Sequence, residues 1–241
     1  MDIRISGSGS FAPGEYENIR ISGSGRFSGL VRCSSYHVSG SSSGDALECA
    51  NEIKVSGSSK FSQNVKAGTF SVSGSFSVGG NLTVKEKLSC SGSVKCGGNI
   101  KSTAISSSGS LSSEGDVEAE TVKISGKLNC EGLLNAEDIN IDSDGGMTIG
   151  SIGGSNIIIC DSKNAKKAIR LPLFSSLVNK VVGVHVKNSI EGDTVAIENV
   201  KAPRVSGRVV AVGDGCEIEL LQYSEKLEVS PNAKVGRTEK I

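Results

Sequence analysis

Seven cysteines, two histidines and one short acidic run are the residues of this chain best equipped for chemistry. Cys33, Cys49, Cys90, Cys96, Cys130, Cys160 and Cys216 are odd in number and irregular in spacing. A secreted disulfide framework needs paired, patterned cysteines, so the reducing cytoplasm is the expected compartment. His37 and His185 are the candidates for the general base that an acyltransferase requires, and neither has an acid at a matching sequence distance. Asp142 and Asp144 in IDSDGG imitate the start of a calcium loop, but Gly153 stands where an EF-hand places its bidentate Glu. GSGSFAPG has glycines without the strand–loop–helix context of a phosphate-binding loop. The expectation is therefore no catalytic residue, no cofactor and no metal site.

These residues sit in a repeat. IRISGSGSF at 3–11 returns as IRISGSGRF at 19–27 and IKVSGSSKF at 53–61, then more loosely as FSVSGSFSV, LSCSGSVKC and VKISGKLNC. Unit starts fall at Ile3, Ile19, Tyr36, Ile53, Phe70, Leu88, Ile105, Val122 and Ile139, with spacings of 16 to 18 residues. Within a unit, apolar or small residues recur in pairs two apart, as in Phe70 and Val72, Phe76 and Val78, Leu82 and Val84. That spacing marks a strand with one buried face. Three such strands per unit of about 17 residues make one coil, and a single coil cannot bury its own apolar edge. Stacked coils predict an all-β parallel β-helix.

Glycine follows the first strand of nearly every unit, as at Gly7, Gly23, Gly40, Gly57 and Gly74, and is read as supplying positive φ at a sharp corner. The serines on either side form a corner ladder bonding to nearby backbone. The cysteines fall on inward tracks, where a thiol acts as a small hydrophobe, and Cys90 and Cys96 belong to different walls. One inward track is read as Phe11, Phe27, Gly44, Phe61, Val78, Cys96, Ser113, Cys130 and Met147. Glu48 would point inward in the unit at 36, and a one-residue shift that buries Leu47 and Cys49 removes the conflict. Both histidines point outward, His37 on a ladder with Arg4, Arg20 and Lys54.

The chain balances 26 basic against 26 acidic residues, which gives no global attraction to nucleic acid. Tryptophan is absent and aromatics are 4%, few for an enzyme core. The sequence divides into regular coils at 1–160, a basic segment with a short amphipathic helix at 161–183, and less regular coils at 184–241. Leu173, Phe174, Leu177, Val178, Val181 and Val182 recur at helical spacing after Pro172, behind Lys163, Lys166, Lys167 and Arg170. The favoured reading clamps this helix to the coil stack; the alternative lays it on a membrane surface or a partner. Alternation returns in Val184 and Val186, Val195 and Ile197, Val209 and Val212, Ile218 and Leu220, Leu227 and Val229.

The reiterated apolar-x-apolar-Ser-Gly-Ser unit, as in FSVSGSFSVGGNLTV and VKISGKLNCEGLLNA, resembles that of the bactofilins. The stretch SIEGDTVAIENVKAPRVSGRVVAVGDGCEIELLQYSEKLEV resembles the tail of longer members of that family. The resemblance implies a right-handed helix, a polymer built through coil ends without nucleotide, and scaffolding of envelope or cell-shape machinery. The expected function is a cytoplasmic, non-enzymatic, self-assembling scaffold. Its expected partners are copies of itself and envelope or cell-wall proteins, with peripheral contact at the inner membrane face and no nucleic acid. The family's N-terminal tail has no counterpart here, since the repeat begins at Ile3. Self-association is expected through Ile3, Ile5 and Phe11 at one end and Val235 and Ile241 at the other, where Pro231, Lys234, Arg237 and Lys240 blunt addition. The rival is a β-helix carbohydrate-active or acyltransferase-like enzyme.

Overall fold

A computed structural model describes residues 1–142, 146–160 and 183–241. Two compact units result, Met1–Glu118 and Ala119–Ile241. Both are built of parallel strands wound into coils.

In the N-terminal unit the first wall stacks Ile3 on Ile19, Ile19 on Tyr36, Tyr36 on Ile53, Ile53 on Phe70, Phe70 on Leu88 and Leu88 on Ile105. This is the register that the repeat spacing predicts. The coil at 70 is representative. Phe70, Val72, Phe76, Val78, Leu82 and Val84 are buried, while Ser71, Ser77 and Thr83 alternate on the outer side. The expected shift at Glu48 also occurs: Leu47 pairs with Val31 and Val65, and Leu47 and Cys49 are buried. Aromatic rings stack up the second wall, Phe11 on Phe27 at 5.0 Å and Phe61 on Phe76 at 5.5 Å between centroids. Between them Gly44 leaves a gap that the Phe27 ring fills, so Phe27 reaches Phe61 at 5.8 Å. A Cβ on Gly44 would stand 2.3 Å from the Phe27 ring.

The corner glycines correct the sequence reading. None of Gly7, Gly23, Gly40, Gly57, Gly74, Gly92 and Gly109 has positive φ. Their role is close stacking instead. A Cβ on Gly23, Gly40, Gly57 or Gly74 would lie about 2 Å from the carbonyl oxygen of the equivalent glycine one coil below. The amide of the serine after each glycine donates to that same carbonyl, as from Ser58 to Gly40 and from Ser75 to Gly57 at 2.9 Å. The hydrogen bond holds the coils at strand spacing, and any side chain at the corner would prise them apart. At another corner Asn64, Asn81 and Asn99 form a ladder. Each side-chain oxygen accepts the amide of the next member, ending on Asp116, at 2.8 to 2.9 Å.

In the C-terminal unit the first wall stacks Val122, Ile139, Ile157, Val195, Val210 and Leu227. Strands here are long enough to run around corners, Met147–Cys160 and Val200–Val212 among them. Three expectations are corrected. Ile149 rather than Met147 pairs with Cys130, because Met147 follows Ile141 by six positions where Leu128 follows Ile124 by four. The buried pair is Val210 and Val212, since the chain turns a corner between buried Val205 and buried Val210, five positions on, which leaves Val209 partly exposed. Likewise Leu221, not Leu220, is buried, opposite Val205.

This unit turns its corners differently. Asn199 takes φ 55° and Gly215 takes φ 71°, both left-handed. Asn199 donates its amide to the Asp214 carbonyl at 2.9 Å, and the buried Asp214 carboxylate accepts from the Ser230 hydroxyl and from Asn232 Nδ2. The helix expected over 172–182, with Leu173, Phe174, Leu177, Val178, Val181 and Val182, lies outside the described residues, as do its basic approach and Asp144. On either side of it the register is continuous: Ile159 pairs with Ile141 and Ile197, and Val184 pairs with Met147.

Candidate functional site: coil edges and outer ladders

All seven cysteines are buried. Cys33 and Cys49 are register partners on the third wall and share a side-chain hydrogen bond. That bond, together with burial, pushes the Cys33 thiol well above its ordinary range, while the same bond lowers Cys49. Burial raises Cys90 and Cys96, and takes Cys216 to about 12. Raised thiols such as Cys33, Cys90, Cys96 and Cys216 are poor nucleophiles. The Cys33–Cys49 contact escaped the sequence because the two lie 16 positions apart on neighbouring coils. Among the described residues no group of three or more His, Cys, Asp or Glu side chains could hold a metal.

The histidines lie on outer ladders, as expected. His37 stacks between Arg20 and Lys54. It does have an acid, however: its Nε2 is 3.1 Å from Glu52 Oε2, a neighbour brought in by the next coil. His185 is exposed in the C-terminal unit on a ladder with Lys201, Glu217 and Lys234. These four line an open groove of about 570 Å³ over Ala202, Ile218 and Val235. Lys234 and Lys201 hold the Glu217 carboxyl below its usual range. Within the groove Lys201 and Lys234 both pair with Glu217, and among the described residues no cysteine or serine lines it beside the histidine.

The coil edges are the other candidate. The strands Ile3–Ile5, Ser8–Phe11 and Gly14–Glu15 each pair on one side only among the described residues. Ile3, Ile5 and Phe11 are half-buried there. In the C-terminal unit, Lys234–Lys240 pairs only with Glu217–Tyr223 among the described residues, Val235 is half-buried, and Val229 and Ile241 are exposed. Backbone donors and acceptors on such edges template further strands. Ion pairs Lys226–Glu228 and Arg237–Glu239 flank the second edge.

Stacked coils with one-sided edges and small-residue corners define a parallel β-helix repeat protein. Residues 17–113, within the N-terminal unit, match the model of the bactofilin family, described as polymer-forming and cytoskeletal. The chain is also similar to the uncharacterised proteins YhbF and YhbE of Bacillus subtilis strain 168. The first is 33% identical over 67 residues and the second 38% over 52. The aligned stretch spans 28% of both chains for YhbF and 22% of both for YhbE. No solved structure matches. No helix among the described residues is long and apolar enough to cross a membrane.

Proposed function

We propose that this protein is a non-enzymatic scaffold that polymerises through its coil edges, without nucleotide, and organises envelope or cell-shape machinery. One observation carries the reading: edge strands whose apolar residues, Ile3, Ile5 and Phe11, are half-buried where their equivalents one coil in, Ile19, Ile21 and Phe27, are fully buried. A second edge placed there completes both the hydrogen bonding and the burial. The polymer-forming description of the matching family supports the same use. Its client proteins are envelope proteins, and it works in the cytoplasm at the inner face of the membrane.

Analytical ultracentrifugation of wild type beside Ile3→Lys/Ile5→Lys tests the proposal. Wild type assembles with rising concentration, equally with and without ATP, and the double variant stays smaller. A wild type that remains monomeric at every concentration and salt refutes it. Liposome co-sedimentation of Leu173→Glu/Phe174→Glu separates the membrane contact from assembly; lipid binding equal to wild type removes that helix from the account.

A further inference from the structure

The first and second walls of the N-terminal unit, with the corner between them, are nine-residue stretches starting at Ile3, Ile19, Tyr36, Ile53, Phe70, Leu88 and Ile105. They contain no Asp or Glu, yet carry Arg4, Arg20, Arg26, Lys54, Lys60 and Lys95. Acids resume just outside, at Asp45 and Glu114 beyond the second wall and at Glu52 before the first. Stacking turns this segregation into rows. On the second wall Arg26 pairs in register with Ser43, Ser43 with Lys60, Lys60 with Ser77 and Ser77 with Lys95. Cations therefore stand on alternate coils, about 10 Å apart at two strand spacings, with hydroxyls between.

Arg26, Lys60 and Lys95 are exposed, and none has an ion-pair partner among the described residues. The third wall behaves otherwise: Arg32 and Lys66 share Glu48, and Lys101 pairs with Glu118. A row of serines, Ser24, Ser41, Ser58, Ser75, Ser93 among them, runs alongside the basic row. No aromatic or aliphatic side chain on this outer face is exposed for base stacking or acyl insertion.

We propose that this face binds an extended phosphodiester polymer lying parallel to the coil axis. Lysine and arginine neutralise successive phosphates, and the intervening serine hydroxyls donate to phosphate oxygens. The rows run along the axis and are single file, which suits a linear partner with repeating charge. Because the face leaves the coil edges untouched, binding is independent of the proposed assembly.

The probe is a poly(glycerol phosphate) chain titrated against the full-length protein at several salt concentrations. The variant Arg26→Ser/Lys60→Ser/Lys95→Ser extends the residue type already present on the alternate coils, and its melting curve verifies folding. Wild type binds with an affinity that falls as salt rises. The variant binds at least tenfold more weakly, with a log–log salt slope reduced by about 2 for three lost phosphate contacts. Equal affinity and slope in the two proteins would overturn the proposal. So would an equal loss in Lys66→Ser/Lys85→Ser/Lys101→Ser, which removes the same charge from the third-wall side. Vesicles of phosphatidylglycerol present the same glycerol phosphate as a plane, and binding to them without binding to the free chain would also overturn it.

Discussion

The two units solve the corner between first and second wall in opposite ways. In the N-terminal unit the corner is Ser-Gly-Ser, without positive φ and crowded, and glycine is there because a carbonyl lies where a Cβ would go. In the C-terminal unit the corner is open enough for Asn199 and buried Asp214, and it uses left-handed backbone and side-chain hydrogen bonds. A corner made only of backbone can be copied from coil to coil, which keeps the repeat short and legible. The Asn199 and Asp214 corner instead rests on a left-handed backbone and a particular set of side chains, Ser230 and Asn232 among them.

The comparison can be broken at several points, beginning with the core that both units share. Val72→Asp in the first unit and Val195→Asp in the second each bury an unpartnered charge at a site that is at most 1% exposed. Each should cost upwards of about 4 kcal/mol, seen as loss of the cooperative melt; retention of the wild-type melting temperature would sink the burial argument. Next, Gly74→Ala should cost about 2 kcal/mol by overpacking, since the added carbon meets the Gly57 carbonyl at 2.0 Å. Gly213→Ala, at the same corner of the C-terminal unit, has its nearest neighbour 3.1 Å away and should cost less. Equal denaturant midpoints for these two variants would erase the distinction between crowded and open corners.

The left-handed corner gives a smaller effect of opposite sense. Asn199→Gly should be tolerated to within about 0.5 kcal/mol, whereas Asn199→Val should cost more than about 1 kcal/mol. The reverse order in thermal melts would remove backbone conformation as the reason for asparagine there. The smallest effect concerns acid. The Gly29 amide and then the Ser62 hydroxyl hold the exposed Asp45 carboxyl below its ordinary range. Its folded value being depressed, it adds stability above the usual carboxylate range, and that contribution fades as pH falls through the lowered value. Asp45→Asn should therefore flatten the acid limb of melting temperature against pH, and an unchanged limb would show these bonds to be inconsequential.

The repeat made the inside of the first unit readable, down to the shift that buries Leu47 and Cys49. Alternation states which face a residue takes once the phase is known, and constant coil length holds the phase. Where a corner changes length the phase slips, which is why Ile149, Val210 and Leu221 replaced Met147, Val209 and Leu220. Contacts between coils, such as Cys33 with Cys49 and His37 with Glu52, depend on which residues stack, and only the assembled register supplies that.

In the C-terminal unit a first-wall strand ends near Ile159, and the next described strand, on the second wall, begins at Val184. A regular coil crosses that same corner from Val72 to Phe76. Pairing on both sides fixes the two anchor points a corner's width apart, whatever is spliced between them. A grafted loop costs only about 0.6 kcal/mol more to close for each doubling of its length. The stack thus behaves as a docking frame with ports, one per coil, into which an epitope, a peptide tag or a small folded module could be grafted while the strands above and below keep their alignment.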